Sequence, residues 1–348
     1  MQAGIFKGKG VVSVEEVKDP IIQHPDEAIV KVTYSCVCGS DLWFYRGISE
    51  RAAGSRIGHE FMGIVESVGS DVKKLKPGDF VVAPFSSADG TCPECKVGMS
   101  ICCRNRRSWG AGGYDGGQGQ KVRVPTADGT LFVIPPDKAT PELLPAILPL
   151  TDVLCTGHHA AICAQVKPGK TVAVVGDGAV GLCGVMASKR LGASRIILLS
   201  THDDRAKIGQ RFGATDIVAA RGEAAINQVK ALTDDLGVDC VLESVGSKTS
   251  WDTSFEIVRA GGNIGFVGVP HDPEIEDIKI MNLFRRGVGV KGSGAPVASY
   301  IPELLPDVLA GKLDVSAIFT KTISLANLSE GYQAMDVREA IKILINPL

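Results

Sequence analysis

Residues 171–192, TVAVVGDGAVGLCGVMASKRLG, contain the pattern that decides the fold of this chain. The apolar run TVAVV has the length and composition of a buried strand, and Gly176, Gly178 and Gly181 follow it directly. A segment with helical periodicity comes next. A GxGxxG spacing alone is weak, but between a strand and a helix it predicts a dinucleotide-binding turn, with a purely structural turn as the alternative.

Each glycine of this turn has a separate task in such a site. Gly176 permits the tight turn, Gly178 lets the backbone approach a pyrophosphate, and Gly181 allows the helix and the strand to pack closely. The N-terminus of the helix attracts the phosphates. The cofactor contacts predicted at the turn are Gly176, Gly178, Ala179, Val180 and Gly181.

The next predicted strand, RIILLS, ends at Ser200, where an NAD-binding fold usually has an acid that accepts hydrogen bonds from the adenosine ribose. Hydroxyl donors and one fixed positive charge follow instead, which favours NADP(H). NAD(H) stays possible because Asp203 and Asp204 are close by. The residues predicted to contact this end of the cofactor are Ser200, Thr201, His202 and Arg205.

Strand-length apolar runs alternate with helical segments after Pro168, and this alternation predicts βαβ units and a parallel sheet. Earlier, residues 11–82 contain short β-branched runs separated by Gly, Pro and Asp, which predict an antiparallel, barrel-like β domain. The last third of the chain returns to mixed character. The sequence therefore predicts an α/β protein with two different domains.

The composition excludes several classes of partner. The 348 residues carry a formal net charge of -2 with no block of like charges, so neither nucleic acid nor an anionic membrane surface is expected, and a small molecule is. No apolar segment has signal-peptide or membrane-spanning length, which predicts a cytoplasmic location. Ten cysteines in such a chain indicate thiols and metal rather than disulfides.

Three scattered residues are of the types that bind zinc: Cys38 in VCGSDLWFYRG, His59 in GHEFMGIVESVG and Asp152 in LPLTDVLCTGHHAA. Taken singly they prove little. Their order is more informative. The chain has CGSD at 38–41, then GHE at 58–60, then a cysteine cluster and then GDGAVG. This series of motifs resembles the zinc-dependent alcohol dehydrogenases of the medium-chain dehydrogenase/reductase superfamily. The resemblance covers essentially the whole chain.

This resemblance implies a GroES-like, β-barrel-type catalytic domain formed from residues 1–150 and 296–348, with a Rossmann domain at 151–295 between them. It implies a catalytic zinc held by Cys38, His59 and Asp152, with Cys155 as a competing candidate for the third ligand. Glu60 would lie beside the metal. Asp41 would orient the ring of His59, or would simply be a turn residue.

The cluster DGTCPECKVGMSICC at 89–103 resembles the structural zinc lobe of the same family. The family spacing, counted back from Cys103, leaves Cys102 as a spare thiol. The first of the four ligand positions is a carboxylate, Asp89, rather than a cysteine. The alternative to a structural zinc site is therefore a lobe that has lost its metal. The ligands implied for a structural zinc are Asp89, Cys92, Cys95 and Cys103.

The function implied is hydride transfer between an alcohol and its aldehyde or ketone on one side and a nicotinamide cofactor on the other. Ser40 would carry the alcohol proton, but Trp43 stands where many relatives continue the relay with a histidine. The aromatic residues predicted to line the substrate pocket, with core packing as the alternative for Trp109, are Trp43, Phe85 and Trp109. A homodimer or homotetramer is expected.

Other functions share some of these motifs. Polyol, threonine and formaldehyde dehydrogenases of the zinc branch stay open, because they have every motif used above. A zinc-free quinone or enone reductase is disfavoured by the presence of Cys38, His59, Glu60 and Asp152. A catalytically silent sensor or structural protein is the alternative from another class.

Overall fold

The structure is a computed structural model that describes residues 1–110, 112–272, 275 and 280–347. The chain forms two compact units. Met1–Asp152 and the segment from Pro296 onward form the first, which we call the β unit, and Val153–Ala295 form the second, which we call the nucleotide unit. The sequence-based limits, 1–150, 151–295 and 296–348, stay a prediction.

Both units contain β-strands. They are β1 (Gln2–Gly8), β2 (Val11–Glu16), β3 (Ala28–Val37), β4 (Phe61–Val68), β5 (Phe80–Ala83), β6 (Lys121–Val124), β7 (Phe132–Val133), β8 (Thr171–Val175), β9 (Arg195–Leu199), β10 (Asp216–Val218), β11 (Val238–Glu243), β12 (Val258–Phe266), β13 (Gly289–Gly292), β14 (Phe319–Ser324) and β15 (Lys342–Asn346). Of these, β1–β7, β14 and β15 belong to the β unit, and β8–β13 belong to the nucleotide unit.

The α-helices are α1 (Asp41–Tyr45), α2 (Pro93–Lys96), α3 (Ala127–Thr130), α4 (Leu144–Ile147), α5 (Val153–Cys163), α6 (Ala179–Arg190), α7 (Asp203–Phe212), α8 (Gly222–Ala231), α9 (Lys248–Ile257), α10 (Ile280–Arg286), α11 (Val297–Leu309) and α12 (Leu328–Asp336). Short 3₁₀ segments lie at Ser100–Cys102, Leu148–Thr151, Ser316–Ile318 and Leu325–Asn327. Over the described ranges no single helix is long and apolar enough to cross a membrane; only the bent pair Leu144–Thr151 and Val153–Cys163 reaches that limit when the two are combined.

The β unit is built around β3. This strand pairs antiparallel with β4, with β6 and with β15, in a sheet whose order is β14-β15-β3-β4-β5-β7 with β6 attached to β3. Ile343 lies opposite Val37, so Lys342 comes next to the end of β3, where Cys38 follows. Ser35 lies opposite Phe61, which brings Glu60 to the same place. The strand register thus gathers residues that are distant in sequence.

Two hydrophobic clusters fill the β unit, and they explain why these strands form. Alternate residues of β3, such as Ala28, Val30 and Val32, are fully buried against Phe61 and Trp109 in one of them. The other packs Phe44 and Tyr45 of α1 against Tyr332 of α12. This second cluster joins the two ends of the chain, because it contains Phe6 and Val12 as well as Ile343 and Ile345.

The nucleotide unit has a six-stranded parallel sheet with the order β10-β9-β8-β11-β12-β13. This is the doubly wound arrangement that the alternating pattern predicted. Because the strands are parallel, the carboxyl ends of β8, β9 and β10 are neighbours at one edge. The turns that follow Val175, Leu199 and Val218 therefore lie side by side.

Candidate functional site

Four donor residues of the β unit converge: Cys38, His59, Glu60 and Asp152, which we call the Cys38 group. One ligand atom from each lies within 4.8 Å of the ligand atoms of the others. Sγ of Cys38 is 3.6 Å from Oδ2 of Asp152, and Nε2 of His59 is 3.4 Å from the same oxygen. Cys155 does not belong to this group as the described residues define it.

These separations fit a tetrahedral zinc ion. Sulfur at about 2.3 Å and nitrogen or oxygen at about 2.0–2.2 Å from a common centre place tetrahedral ligands roughly 3.3–3.8 Å apart. The distances between Cys38 and Asp152 and between His59 and Asp152 fall within that range. A thiolate and a carboxylate also balance the charge of a divalent cation.

The ring of His59 is oriented by a buried chain of hydrogen bonds. Its Nδ1 lies 3.2 Å from Oδ1 of Asp41, which leaves Nε2 facing the other donors. Oδ2 of Asp41 accepts from the amide of Cys38 and from Nε2 of Gln118, both at 3.1 Å. Oε1 of Gln118 accepts from the hydroxyl of Tyr332 at 2.9 Å. Burial opposes ionisation of Asp41, but His59 and the Cys38 amide outweigh it and lower the pKa of Asp41.

Glu60 has a buried cationic partner. Nζ of Lys342 is 2.5 Å from Oε1 of Glu60, and both side chains are almost completely buried. Burial opposes the charge on Lys342, but Cys36 and Glu60 raise its pKa well above the usual value. The negative charge of Glu60 is therefore matched within the protein, which leaves Cys38 and Asp152 to match the charge of a metal.

Ser40 and Phe85 lie beside the Cys38 group. Oγ of Ser40 is exposed and lies 3.4 Å from Nε2 of His59, on the metal-facing side of the ring. The ring of Phe85 is edge-on to His59, with 6.5 Å between ring centroids. Trp43 is half-buried in α1, two residues after Asp41.

Trp109, which the sequence placed in the substrate pocket, has the contacts of a core residue instead. It is 3% exposed, its ring packs edge-on against Phe61, and its Nε1 donates to the carbonyl of Pro84. The indole proton is thus satisfied inside the hydrophobic cluster around β3. These contacts fit the packing alternative.

A second set of donors, Asp89, Cys92, Cys95 and Cys103, also converges within 4.8 Å, and we call it the Asp89 group. Sγ of Cys92 and Sγ of Cys103 are 3.8 Å apart, the spacing of two thiolates on one tetrahedral zinc, about 3.8 Å. Cys102 is exposed and lies outside the group. The donor set therefore matches the spacing count rather than the simple count of cysteines.

The carboxylate of Asp89 also organises the loop. Its Oδ1 accepts from the amides of Thr91 and Cys92 at 2.7 and 2.9 Å, and its Oδ2 accepts from Asn105 at 2.8 Å. Burial opposes its ionisation, but these hydrogen bonds hold the pKa of Asp89 well below its usual range. A carboxylate has about four acceptor sites, so a free one remains for a metal.

The glycine turn of the nucleotide unit has the geometry that a pyrophosphate site needs. Gly176 has a φ of +114°, which L-residues with a side chain rarely adopt. A Cβ on Gly181 would lie 2.0 Å from the carbonyl of Gly176, so only glycine fits there. A Cβ on Gly178 would meet no atom within 4 Å, so the surface before Ala179 and Val180 at the start of α6 is open.

The residues predicted to contact the adenosine end of the cofactor lie at the sheet edge formed by β8, β9 and β10. Asp177 and Arg221, which the sequence reasoning did not include, contact them there. The hydroxyl of the buried Ser200 donates to Asp177, and so does Arg205. Thr201 accepts a hydrogen bond from Arg221. His202 is half-buried and precedes α7.

Comparison with known proteins identifies the family. A model described as alcohol dehydrogenase GroES-like domain matches residues 24–136, and one described as zinc-binding dehydrogenase matches residues 179–310. A probable zinc-binding alcohol dehydrogenase of Mycobacterium tuberculosis is 33% identical, over 100% of this chain and 89% of that protein. The chain belongs to the zinc-dependent alcohol dehydrogenase family of the medium-chain dehydrogenase/reductase superfamily.

Two more members of this alcohol dehydrogenase family are similar over their full length. The glutathione-independent formaldehyde dehydrogenase of Bacillus subtilis is 30% identical, over 99% of this chain and 97% of that protein. The solved structure of alcohol dehydrogenase TADH from Thermus sp. ATN1 is 34% identical, covers 99% of both chains and has a TM-score of 0.91. The predicted family and fold class are thus confirmed.

Membership makes this chain a zinc-dependent oxidoreductase with a GroES-like domain and a Rossmann-like domain. It implies a small-molecule substrate, zinc and a nicotinamide cofactor. Both donor groups and the glycine turn fit those partners by their own geometry.

Sequence reasoning missed several residues that the structure places at these sites. Lys342 was marked only by being a charge inside the apolar run AIKILI. Gln118 lies in a glycine-rich loop, and Tyr332 lies far along the chain. Asp177 had the clearest signal, because an acid between two glycines of a phosphate-binding turn is unexpected.

Proposed function

We propose that this dehydrogenase oxidises a small alcohol, or reduces the corresponding aldehyde or ketone, at the Cys38 group. The observation that supports this most is the spacing of Cys38, His59 and Asp152, which suits three ligands of one zinc and leaves a fourth position open. When bound, zinc polarises an alcohol or carbonyl oxygen, and the nicotinamide exchanges a hydride with the substrate carbon.

The protein's own residues then have distinct tasks. Asp41 fixes the ring of His59 so that Nε2 faces the metal position. Ser40 has its hydroxyl beside that nitrogen, where it takes the proton that an alcohol loses while it gives up its own hydroxyl proton. Phe85 provides an apolar wall next to His59, which favours an uncharged substrate of modest size.

Trp43 ends this proton path. An indole N–H donates a hydrogen bond but accepts none, so Trp43 cannot pass a proton on as a histidine would. The hydroxyl proton that Ser40 gives up in exchange passes to water, and the ribose of a bound cofactor would offer a further acceptor. Ser40→Ala should lower kcat by about 10²-fold with zinc content unchanged, and Ser49→Ala, an exposed serine beyond α1, is the matched control. An unchanged kcat in Ser40→Ala would remove Ser40 from the mechanism.

The Asp89 group is proposed to hold a second, structural zinc. All four of its positions are protein donors, which is the closed coordination of a structural site. Metal analysis of the purified protein should give about two zinc ions per chain. About one per chain, with the Cys38 group loaded, would favour a lobe held by the hydrogen bonds of Asp89 alone.

The comparisons support an alcohol or carbonyl substrate but leave several classes of such substrates open. Formaldehyde oxidation is a specific second candidate, because a relative of that name is similar along almost its whole length. Polyols and threonine stay further candidates. The deciding experiment follows the absorbance of the reduced nicotinamide with a panel of alcohols, polyols, threonine and aldehydes, using NAD(H) and NADP(H) in parallel. Zinc and cofactor binding without turnover across the panel would favour a sensor instead.

The cofactor preference is a separate proposal. The sequence favoured NADP(H) because of Ser200, Thr201, His202 and Arg205, and Arg221 adds a second positive charge near them. Asp177, which that reasoning did not consider, opposes it. A homo-oligomer stays a prediction, which the mass measured in solution by light scattering tests.

A further inference from the structure

A carboxylate from the glycine turn contacts Ser200, the residue at the end of the second strand where this fold usually has an acid. Oδ2 of Asp177 accepts a hydrogen bond from Oγ of Ser200 at 2.8 Å, and Oδ1 accepts from Nη1 of Arg205 at 3.3 Å. Ser200 is only 2% exposed, so this contact is part of the packed edge of the sheet.

The sheet order explains how Asp177 reaches that place. β8 and β9 are parallel neighbours with Val175 opposite Leu199. The chain leaves both strands at the same edge of the sheet, so Asp177, two positions after Val175, lies beside Ser200, the residue after Leu199. The carboxylate that sequence position 200 lacks is therefore supplied from sequence position 177. Reading the second strand alone could not detect this exchange.

The same contact changes the role expected of Arg205 in cofactor binding. Its guanidinium is mostly buried and is paired with Asp177, so its positive charge is already matched by a carboxylate. A ribose with free hydroxyls can donate to Asp177. A 2′-phosphate would bring two negative charges next to that carboxylate, and like charges in a partly buried site repel strongly.

We propose that Asp177 is the residue that determines cofactor specificity, and that it makes NAD(H) the preferred cofactor by accepting from the adenosine ribose and holding Arg205. This inference rests on the proposed dinucleotide site. It reverses the preference expected from Ser200, Thr201, His202 and Arg205 alone, because Ser200 and Arg205 both donate to an acid that the spacing rule does not examine.

The test uses binding, so it does not depend on turnover. Titration calorimetry would measure the affinities of ADP-ribose and 2′-phospho-ADP-ribose for the zinc-loaded full chain and for Asp177→Asn. The wild type should bind ADP-ribose more tightly by roughly 10-fold or more, and Asp177→Asn should shift the ratio toward the 2′-phosphate by on the order of 10- to 100-fold. The ratio of kcat/KM for NADH and NADPH should move in the same direction.

Two further variants separate this mechanism from a general charge effect. Asp203→Asn tests the carboxylate that the sequence offered as the alternative partner of the ribose. It removes an exposed acid from the start of α7 without touching the Asp177 contact, and its affinity ratio should stay within about twofold of wild type when Asp177 is the determinant. Arg205→Met, added to Asp177→Asn, should cancel most of the gain in 2′-phosphate affinity. That result would show that the gain comes from a released guanidinium.

Several outcomes would overturn the proposal. An Asp177→Asn protein that melts like wild type but keeps the wild-type ratio would exclude Asp177 as the determinant, and so would an equal shift in Asp203→Asn. A wild type that prefers the 2′-phosphate would restore the sequence-based expectation. Binding of neither ligand would refute the dinucleotide site itself, and the inference with it.

Discussion

The Cys38 group and the Asp89 group each bring four possible metal donors together, with thiol and carboxylate donors in both, but they are built in opposite ways. Donors of the Cys38 group come from positions 38 to 152, and residues as distant as Lys342 support them. Donors of the Asp89 group lie within 15 consecutive residues: Asp89 and Cys92 precede α2, Cys95 lies in it, and Cys103 follows the 3₁₀ segment Ser100–Cys102. Cys38 and Glu60 are buried, and so is the supporting Asp41, whereas only Cys103 is buried among the four donors of the Asp89 group.

This difference separates two ways of holding a metal. In the Cys38 group, strand register and a buried hydrogen-bond chain set the geometry, so the donors should stay in place when the metal leaves. In the Asp89 group, little buried surface holds the loop, so its order should depend on the metal and on the hydrogen bonds of Asp89. The Cys38 group is therefore suited to catalysis, and the Asp89 group is suited to stabilising the folded loop.

The strongest test of this contrast removes one thiolate from each group. Cys38→Ser should lower kcat by about 10³-fold or more with a small change in melting temperature, because the open zinc position is lost while the sheet remains. Cys103→Ser should lower the melting temperature and cost less than about tenfold in kcat. Zinc content, kcat and thermal unfolding would be measured on both.

Each variant should lose about one zinc per chain, which makes the pair internally matched. Equal losses of kcat in two folded variants would mean that the Asp89 group also serves the reaction. A large fall in melting temperature for Cys38→Ser would mean that the Cys38 group is structural as well.

The next effect concerns the buried pair of Glu60 and Lys342. Lys342→Met should lower the free energy of unfolding by about 3–5 kcal/mol, since it leaves the carboxylate of Glu60 buried without its cation. Adding Glu60→Gln should recover a large part of that loss. Urea unfolding of both variants measures the difference.

The Asp89 lobe offers a matched control for this pair. Arg104 donates to Glu94 through two nitrogens there, but Arg104 is mostly exposed, so Arg104→Met should change stability very little. Equal destabilisation by Lys342→Met and Arg104→Met would contradict the view that burial makes the Cys38 group rigid.

A smaller effect is expected from the hydrogen-bond chain behind His59. Gln118→Leu removes the donor to Asp41 and the acceptor for Tyr332, and it should weaken zinc binding at the Cys38 group by about 10- to 100-fold. Tyr332→Phe leaves the Gln118 contact to Asp41 intact and should have a smaller effect. Competition with a metal chelator measures zinc release.

Zinc at the Asp89 group supplies the control, because Gln118 does not contact that group and its release rate should not change. Similar release from both groups in Gln118→Leu would indicate a general loss of stability. The same affinity as wild type at the Cys38 group would remove Gln118 as a positioning residue.

The sequence was sufficient for the parts of the molecule that are local. The glycine turn, the parallel sheet and the family could all be predicted, because each depends on a short motif or on the periodicity of neighbouring residues. The spacing count named four donors of one loop, and those four converge as the Asp89 group; that they bind zinc stays a prediction.

What the sequence did not provide depends on pairing between distant strands. Lys342 reaches Glu60 because β15 lies beside β3, and Asp177 reaches Ser200 because β8 lies beside β9. No spacing rule connects such positions. Trp109 was assigned to the pocket for a related reason, because an aromatic residue near a binding motif looks the same in sequence whether it lines a cavity or packs in a core.

The smallest effect lies in the nucleotide unit, which contains neither donor group, and it provides a reference for the effect of acid on the two groups. Low pH releases metal by protonating thiolates, so the acid unfolding of a metal-free region must be known separately. Asp239 accepts from the amide of Thr171 at 2.9 Å, from Nε of Arg259 at 2.7 Å and from Nζ of Lys170 at 3.1 Å. Burial opposes its ionisation, but these contacts outweigh burial and lower the pKa of Asp239.

Because the folded pKa of Asp239 lies below the unfolded value of about 3.9, its contribution to stability is complete above that pH and disappears as the pH falls through the folded value. Asp239→Asn should therefore lower stability at neutral pH by about 1 kcal/mol and make the loss of stability below about pH 4 less steep. Urea unfolding of chelator-treated protein across the acid range measures this slope. A slope identical to wild type would mean that acid destabilises this unit through other carboxylates. Asp239 would then not be a usable reference for the acid sensitivity of the two donor groups.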